Sequence, residues 1–346
     1  MWFLTILVLI FILGIIILVH ELGHFYWAKK FGVHIYEFSI GMGPIFKSIK
    51  GKDGIDYNLR VFPIGGFVQM AGEVYEDDNK IPAEKFMCNK PWIQRVIILV
   101  AGVINNFILA IIVLFFLSLI NGPTAIKPEI GEIVENSAAE KAGLETGDTI
   151  SKINGKKVGS WDAGQIYLYY KNADNTYKFE VKKANGETKE ITVNPDYNEE
   201  QERYVFGFGI KQPEETGMLT SIKYSFQKFG SIIDSMRLTI SGLFTGKLSI
   251  KSLSGPVGMY KVVEQGMSYG VAQIAYILAF LSINVGFINI LPFPAFDGGR
   301  IVFLIIEKIR KKPIDSNLEN KFHTVGFILL LILMIYITFQ DIINLF

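Results

Sequence analysis

Three residues in the stretch LVHELGHFYWAKK, residues 18–30, have the types and spacing of a hydrolytic metal site. His20 and His24 are four apart, so a helix projects both from one face, with Glu21 beside them. Two such imidazoles suit a zinc ion, and a neighbouring carboxylate can take a proton from its bound water. Catalytic zinc takes three protein ligands and keeps an open position, so another His, Asp or Glu must arrive at the same depth. The segment FINILPFPAFDGGR, 287–300, offers one carboxylate, Asp297. Pro292 and Pro294 force the backbone to turn ahead of it, and Gly298 and Gly299 permit close approach. Two alternatives stand beside this reading: an interfacial histidine pair, and Asp297 as the N-cap of the segment that follows.

The elements that must position these groups follow from the apolar pattern. Of 346 residues, 50 % are hydrophobic and 19 % charged, below the globular norm of about 25 % charged. Segments 1–19, 96–126, 271–296 and 324–340 contain no charged residue, and each approaches or exceeds the roughly 17–25 residues of a spanning helix. They predict four transmembrane helices: 1–30 with the HExxH motif, 92–121, one within 250–300, and 324–346. Ionisable residues at the end of such a span are costly unless they serve a site. A cleaved signal peptide is the competing reading of residues 1–19, but no basic region precedes the apolar run, and cleavage would discard His20.

Charge sets the expected sidedness. Lys29, Lys30, Lys47, Lys50, Lys52, Arg60, Lys80, Lys85, Lys90 and Arg95 fall between the first two spans, and Lys308, Arg310, Lys311, Lys312 and Lys321 between the last two. The positive-inside rule then makes both loops cytoplasmic and turns 121–270 outward. The net charge of +1 points to no nucleic-acid partner. Cys88 is the lone cysteine and can form no intramolecular disulfide.

Between the spans, 31–91 contains two β-like runs, 34–40 and 55–62, joined through Gly41, Gly43, Pro44 and Gly54 and followed by Pro63, Gly65 and Gly66. This predicts a hairpin returning toward the membrane, tolerated at that depth only where it lines a cavity. Asn105 and Asn106, inside the second span, suit hydrogen bonds to a neighbouring helix. Residues 126–195 predict a small α+β module: a capping box at Ser137 and Glu140, a stop at Gly143, and hairpin turns at Asn154-Gly155 and Asn185-Gly186. Apolar spacing over 213–249 predicts amphipathic helix on the outer membrane face, with a break near Gly230.

HELGH together with NILPFPAFDGG resembles the paired signature of the site-2 protease family of intramembrane zinc metalloproteases, of the bacterial regulator-of-sigma-factor type with a single PDZ domain. FSIGMG and YNLRVFPIGGFVQMAGE resemble its membrane re-entrant β-loop, AGVINNF its second-span motif, SGPVG at 254–258 its turn before the third span, and ENSAAEKAGLETGDTISKING its PDZ domain. The fold class implied is a polytopic α-helical membrane protein of four transmembrane helices, with a re-entrant β-loop and one extracytoplasmic PDZ-like α+β domain. Carried over position by position, the resemblance implies His20, His24 and Asp297 as zinc ligands and Glu21 as general base. It implies Asn289 as a substrate-holding amide, and the β-loop around Gly41 and Gly43 as an edge for the unwound substrate.

The implied partners are single-pass membrane proteins such as anti-sigma factors or signal-peptide remnants, membrane lipid, and a peptide C-terminus at the PDZ-like domain. The implied setting is the bacterial plasma membrane, with the site near its cytoplasmic side. Val103, Phe296 and Arg300 depart from common family residues and bear on substrate preference. His34 and His323 match no motif position and are expected in loops. Outside the resemblance, a non-enzymatic PDZ adaptor with a structural metal and a zinc transporter are the other classes considered.

Overall fold

In the computed structural model, residues 2–73, 81–170, 175–198 and 203–343 are described. The chain runs α1 (Trp2–Lys30), β1 (Ile35–Lys50), β2 (Asp56–Met70), α2 (Trp92–Asn121), β3 (Ile130–Ile133), α3 (Ala138–Lys141), β4 (Thr149–Ile153), β5 (Lys156–Lys157) and α4 (Trp161–Tyr169). It continues through β6 (Tyr177–Lys182), β7 (Thr188–Val193), β8 (Asp196–Asn198), β9 (Arg203–Val205), β10 (Phe208–Ile210), α5 (Met218–Phe244), α6 (Pro256–Ser268), α7 (Val271–Ile290), α8 (Asp297–Arg310) and α9 (Ser316–Ile343). Two compact units result, Met1–Val113 with Ser254–Phe346, and Leu114–Leu253.

In the first unit, helices over Trp2–Lys30, Val271–Ile290 and Asn317–Ile343, together with the helix that begins at Trp92, are long and apolar enough to cross a membrane. Helices α1 and α2 meet backbone to backbone: a β-carbon on Gly23 would lie 2.5 Å from the Ala101 carbonyl oxygen. Asn105 Nδ2 donates to the Val19 carbonyl, and Ser282 Oγ of α7 donates to the Asn106 carbonyl, so the polar residues inside the spans join helices. Ile12 and Ile16 of α1 pack with Val263 and Ile277 of α6 and α7. At the other end of α1, Ala28, Phe38, Val68, Ile98 and Leu304 form a second cluster joining α1, the β-loop, α2 and α8.

The β-loop differs from the expected hairpin of two short strands. Each strand runs on past its glycines and bends, so 35–40 pairs on one side with 66–70 and on the other with 56–59, while 45–50 also pairs with 56–60. The segments therefore lie in the order 66–70, 35–40, 56–59, 45–50. Gly41 makes the sharp bend: its φ is +89°, and a β-carbon would lie 2.5 Å from the Phe62 carbonyl oxygen.

The end of this unit also departs from the expected layout. The basic stretch 301–323 is not one loop: α8 continues to Arg310, Lys311 takes a left-handed conformation, and α9 begins at Ser316 rather than 324. His323 is consequently helical, not a loop residue. A polar first turn does not stop a helix whose later turns are long and apolar.

In the second unit, the sheet order β5-β4-β6-β7 and the pair β10-β3 enclose a core of Ile130, Ala139, Ile150, Ile153, Phe179, Val181 and Val193. The Ser137 hydroxyl accepts the Glu140 N–H, and Asn154 and Gly155 both take positive φ in the β4–β5 turn. The fold does not close at residue 195: Phe206 and Phe208 pack on the core and β10 pairs with β3. Strands of three residues are too short to show alternation.

Helix α5 is continuous through Gly230, where a β-carbon would meet nothing within 4 Å. Its buried face mixes Ser221, Ser225, Lys228, Ser231 and Ser235 with Ile232, Met236 and Leu238. Lys228 Nζ donates to both Asp162 oxygens at 2.8 and 2.9 Å, and Ser231 Oγ donates to the same carboxylate. A second set of apolar residues, Met218, Leu219, Ile222, Phe226 and Phe244, is exposed, which a helix packing its whole apolar stripe on a soluble core would not show.

Candidate metal centre

The HExxH residues occupy the last three turns of α1, where the helix meets α2 and the β-loop. His24 Nδ1 donates to the Ile98 carbonyl at 2.8 Å, which leaves the Nε2 lone pair for a metal. The Asn106 amide nitrogen stands 3.4 Å from His20 Nδ1; the flipped amide would turn its oxygen, which has no donor among the described residues, to Nδ1–H and so free His20 Nε2 likewise.

Asp297 is the first residue of α8, one position past the N-cap Phe296. Its Oδ2 lies 3.1 Å from His20 Nε2 and 3.6 Å from His24 Nε2, and the two nitrogens are 3.1 Å apart. A tetrahedral ion with bonds of about 2.0–2.1 Å sets its ligand atoms about 3.3 Å apart, so the triangle has the dimensions zinc requires. Among the described residues, no hydrogen-bond donor is assigned to the buried Asp297 Oδ2.

The close convergence depends on missing side chains. A β-carbon on Gly102 of α2 would lie 2.6 Å from His24 Nε2 and 2.8 Å from His20 Nε2. One on Gly298 would lie 2.3 Å from the Ile290 and Leu291 carbonyl oxygens, and one on Gly299 2.4 Å from that of Phe293. These two glycines let the chain fold back between α7 and α8 and aim Asp297. Ala295 in the same turn has φ +84°, a conformation costing a non-glycine residue about 1–3 kcal/mol.

The three ligand candidates and Glu21 share one cavity of about 550 Å³ with Phe67, Val68, Met70, Asn289, Arg300 and His323. Asn289 thus reaches the site. Gly41 and Gly43 do not line the cavity; they shape the far bend of the sheet. The part of the sheet at the cavity is the edge segment 66–70, and a β-carbon on Gly66 would lie only 3.6 Å from Glu21 Cγ. Arg300 bonds Glu73 across the cavity wall.

Sequence reasoning missed Gly66, Gly102, Asn106 as the support of His20, and His323. Only AGVINNF pointed toward the second and third of these, and it marked the segment without assigning the residues.

A carboxylate beside a two-histidine, one-aspartate metal set, reached from among spanning helices, is equipped for hydrolysis by a membrane metallopeptidase. The profile of peptidase family M50 matches residues 8–333, and the chain belongs to that family, the site-2 proteases. It is 31 % identical over 420 residues to the regulator of sigma-W protease RasP of Bacillus subtilis, and 32 % identical over 424 residues to the zinc metalloprotease RasP of Shouchella clausii. Both matches cover 99 % of this chain and 99 % of the relative. A relative in Clostridium acetobutylicum is 35 % identical over 343 residues, covering 99 % of this chain and 98 % of its own. The activity is that of a zinc metalloprotease.

Proposed function

We propose that this chain hydrolyses peptide bonds within or beside the membrane-spanning segments of single-pass proteins, with His20, His24 and Asp297 holding zinc and Glu21 serving as general base. The observation that carries the assignment is the triangle of His20 Nε2, His24 Nε2 and Asp297 Oδ2, formed by residues from two separate helices in one cavity with Glu21. Zinc held there supplies Lewis acidity, lowering the pKa of coordinated water toward about 7 and polarising a carbonyl. Glu21 takes the proton from the attacking water and returns it to the leaving amine. The Asn289 amide donates to the substrate backbone or to the developing oxyanion.

A peptide bond inside a helix is shielded by its own hydrogen bonds, so the substrate must be extended at the point of cleavage. The sheet edge at 66–68 offers main-chain partners to such a segment, and the bare α-carbon of Gly66 lets it approach Glu21. This moves the substrate-binding edge from Gly41 and Gly43 to Gly66 and its neighbours.

The basic loops put the site near the cytoplasmic side of a bacterial plasma membrane and the α+β module outside. That module serves as a PDZ-like domain, capturing a peptide terminus or limiting substrate size, while the exposed apolar face of α5 rests in the outer lipid surface. Suitable substrates are anti-sigma factors or signal-peptide remnants.

Glu21→Gln tests the central assignment. It should keep zinc at wild-type stoichiometry and lose cleavage of a single-span substrate that the chelator-treated and zinc-restored wild type also loses and regains. Cleavage by Glu21→Gln at the wild-type rate would remove Glu21 from this role. Bound zinc without activity on any membrane substrate would favour an adaptor.

A further inference from the structure

Asp297 is aimed by the turn 291–296, and that turn has few bonds of its own. Pro292 and Pro294 have no N–H to give. Inside it, Phe293 N–H reaches the Leu291 carbonyl and Phe296 N–H the Phe293 carbonyl. The N–H of Ala295, the residue with positive φ, goes elsewhere: it donates to His323 Nδ1 of α9 at 3.0 Å.

One helical turn further along α9, Gly326 lies flush on the same segment. A β-carbon there would stand 2.3 Å from Pro294 Cβ and 2.6 Å from the Pro294 carbonyl oxygen. Residues three apart share a helix face, so His323 and Gly326 form one clamp on Pro294 and Ala295. His323 lines the metal cavity yet stands outside the ligand set of His20, His24 and Asp297. Accepting a hydrogen bond at Nδ1 places the ring proton on Nε2.

We infer that His323 is a positioning residue for the metal site: by accepting the Ala295 N–H while Gly326 admits Pro294, it holds the turn that points Asp297 at the two histidines. The inference rests on the metalloprotease reading and concerns a residue outside the metal-ligand set. It explains how a strained, proline-interrupted turn holds one carboxylate in register with a helix from the other end of the chain.

The test uses full-length protein in detergent, stripped of metal and titrated with zinc against a chromophoric chelator, with cobalt(II) absorption reporting ligand geometry. His323→Leu fills the space without an acceptor, and His323→Asn keeps an acceptor near the Nδ1 position. Loss of a bond that orients a ligand typically weakens metal binding by about 10–100-fold. His323→Leu should show that loss and a changed cobalt spectrum, and His323→Asn should restore both toward wild type. Gly326→Ala, which pushes on Pro294 and leaves the histidine intact, should weaken zinc in the same direction. It also keeps the test decisive where His323→Leu fails to fold. Wild-type affinity in both His323→Leu and Gly326→Ala overturns the inference, as does equal weakening in the Leu and Asn variants. A wild-type protein that takes up no zinc overturns the metal reading itself, which separates the two failures.

Discussion

Gly102→Ala adds one methyl group where the metal site has no room. The new β-carbon would stand 2.6 Å from His24 Nε2, 2.7 Å from His20 Cε1 and 2.8 Å from His20 Nε2, whereas ordinary contact begins at 3.4 Å. One or both rings must therefore retreat by about 0.6–0.8 Å, against a tolerance of about 0.2 Å in metal–ligand distances. The helices cannot part to relieve this without opening the contact at Gly23, where α1 and α2 already touch backbone to backbone. Overpacking of this kind costs about 1–3 kcal/mol, which is roughly 5–150-fold if it falls on zinc affinity. Alanine is also the better helix former by about 1 kcal/mol, so helix stability should not fall in parallel. Zinc competition against a chelator, beside cleavage of a single-span substrate, reads the effect. Gly14→Ala in α1, whose β-carbon would meet nothing within 4 Å, is the control and should match wild type. Gly102→Ala with wild-type zinc affinity and cleavage would refute the packing argument.

Three further perturbations bear on the scaffold. Asp341 Oδ2 accepts the N–H groups of both Gly255 and Gly258 at 2.9 and 2.8 Å, tying α9 to the SGPVG turn. Asp341→Ala should cost about 1.5–3 kcal/mol in detergent unfolding, with Asp341→Asn intermediate, and an unchanged midpoint would exclude the tie. Lys228 is buried on Asp162, so Lys228→Met, which leaves the carboxylate without its counter-charge and with Ser231 as its remaining side-chain donor among the described residues, should destabilise the second unit by about 3–5 kcal/mol in pulse proteolysis; a change near zero counts against a buried pair. Burial and the nearby Lys247 push Lys156 down to about 8, beneath Tyr167 and Tyr170. The folded state therefore carries a penalty below about pH 8 that lifts as pH rises toward the ordinary lysine value. Amine acylation at pH 8, followed by mass spectrometry, should label Lys156 ahead of fully exposed lysines, and labelling at the common rate would contradict the shift.

Much of this protein is written in local pattern. HELGH needs only the helical period to place two imidazoles on one face, the four spans need only uncharged length, and the hairpin turns need only Asn-Gly. Asp297 was legible because prolines and glycines around a single carboxylate signal a turn with close approach. The β-loop was half legible: its glycines marked bends, but which bend reaches the cavity depends on a double pairing of one strand that residue type does not encode. The closing strand β10 and the unbroken course of α5 were hidden for related reasons, since three-residue strands show no period and a solvent-facing glycine looks like a break.

The sequence alone determined the chemistry available: two histidines, a base, an aspartate and the apolar helices that carry them. The tertiary structure decided what makes that chemistry a site. Gly102 matters because of rings on another helix, Gly66 because of Glu21, and His323 because of an N–H in a turn 28 residues away. Each is a steric or hydrogen-bond relation between segments distant in the chain, and such relations exist only once helices and sheet have packed. A glycine or histidine carries no mark of its neighbours until then.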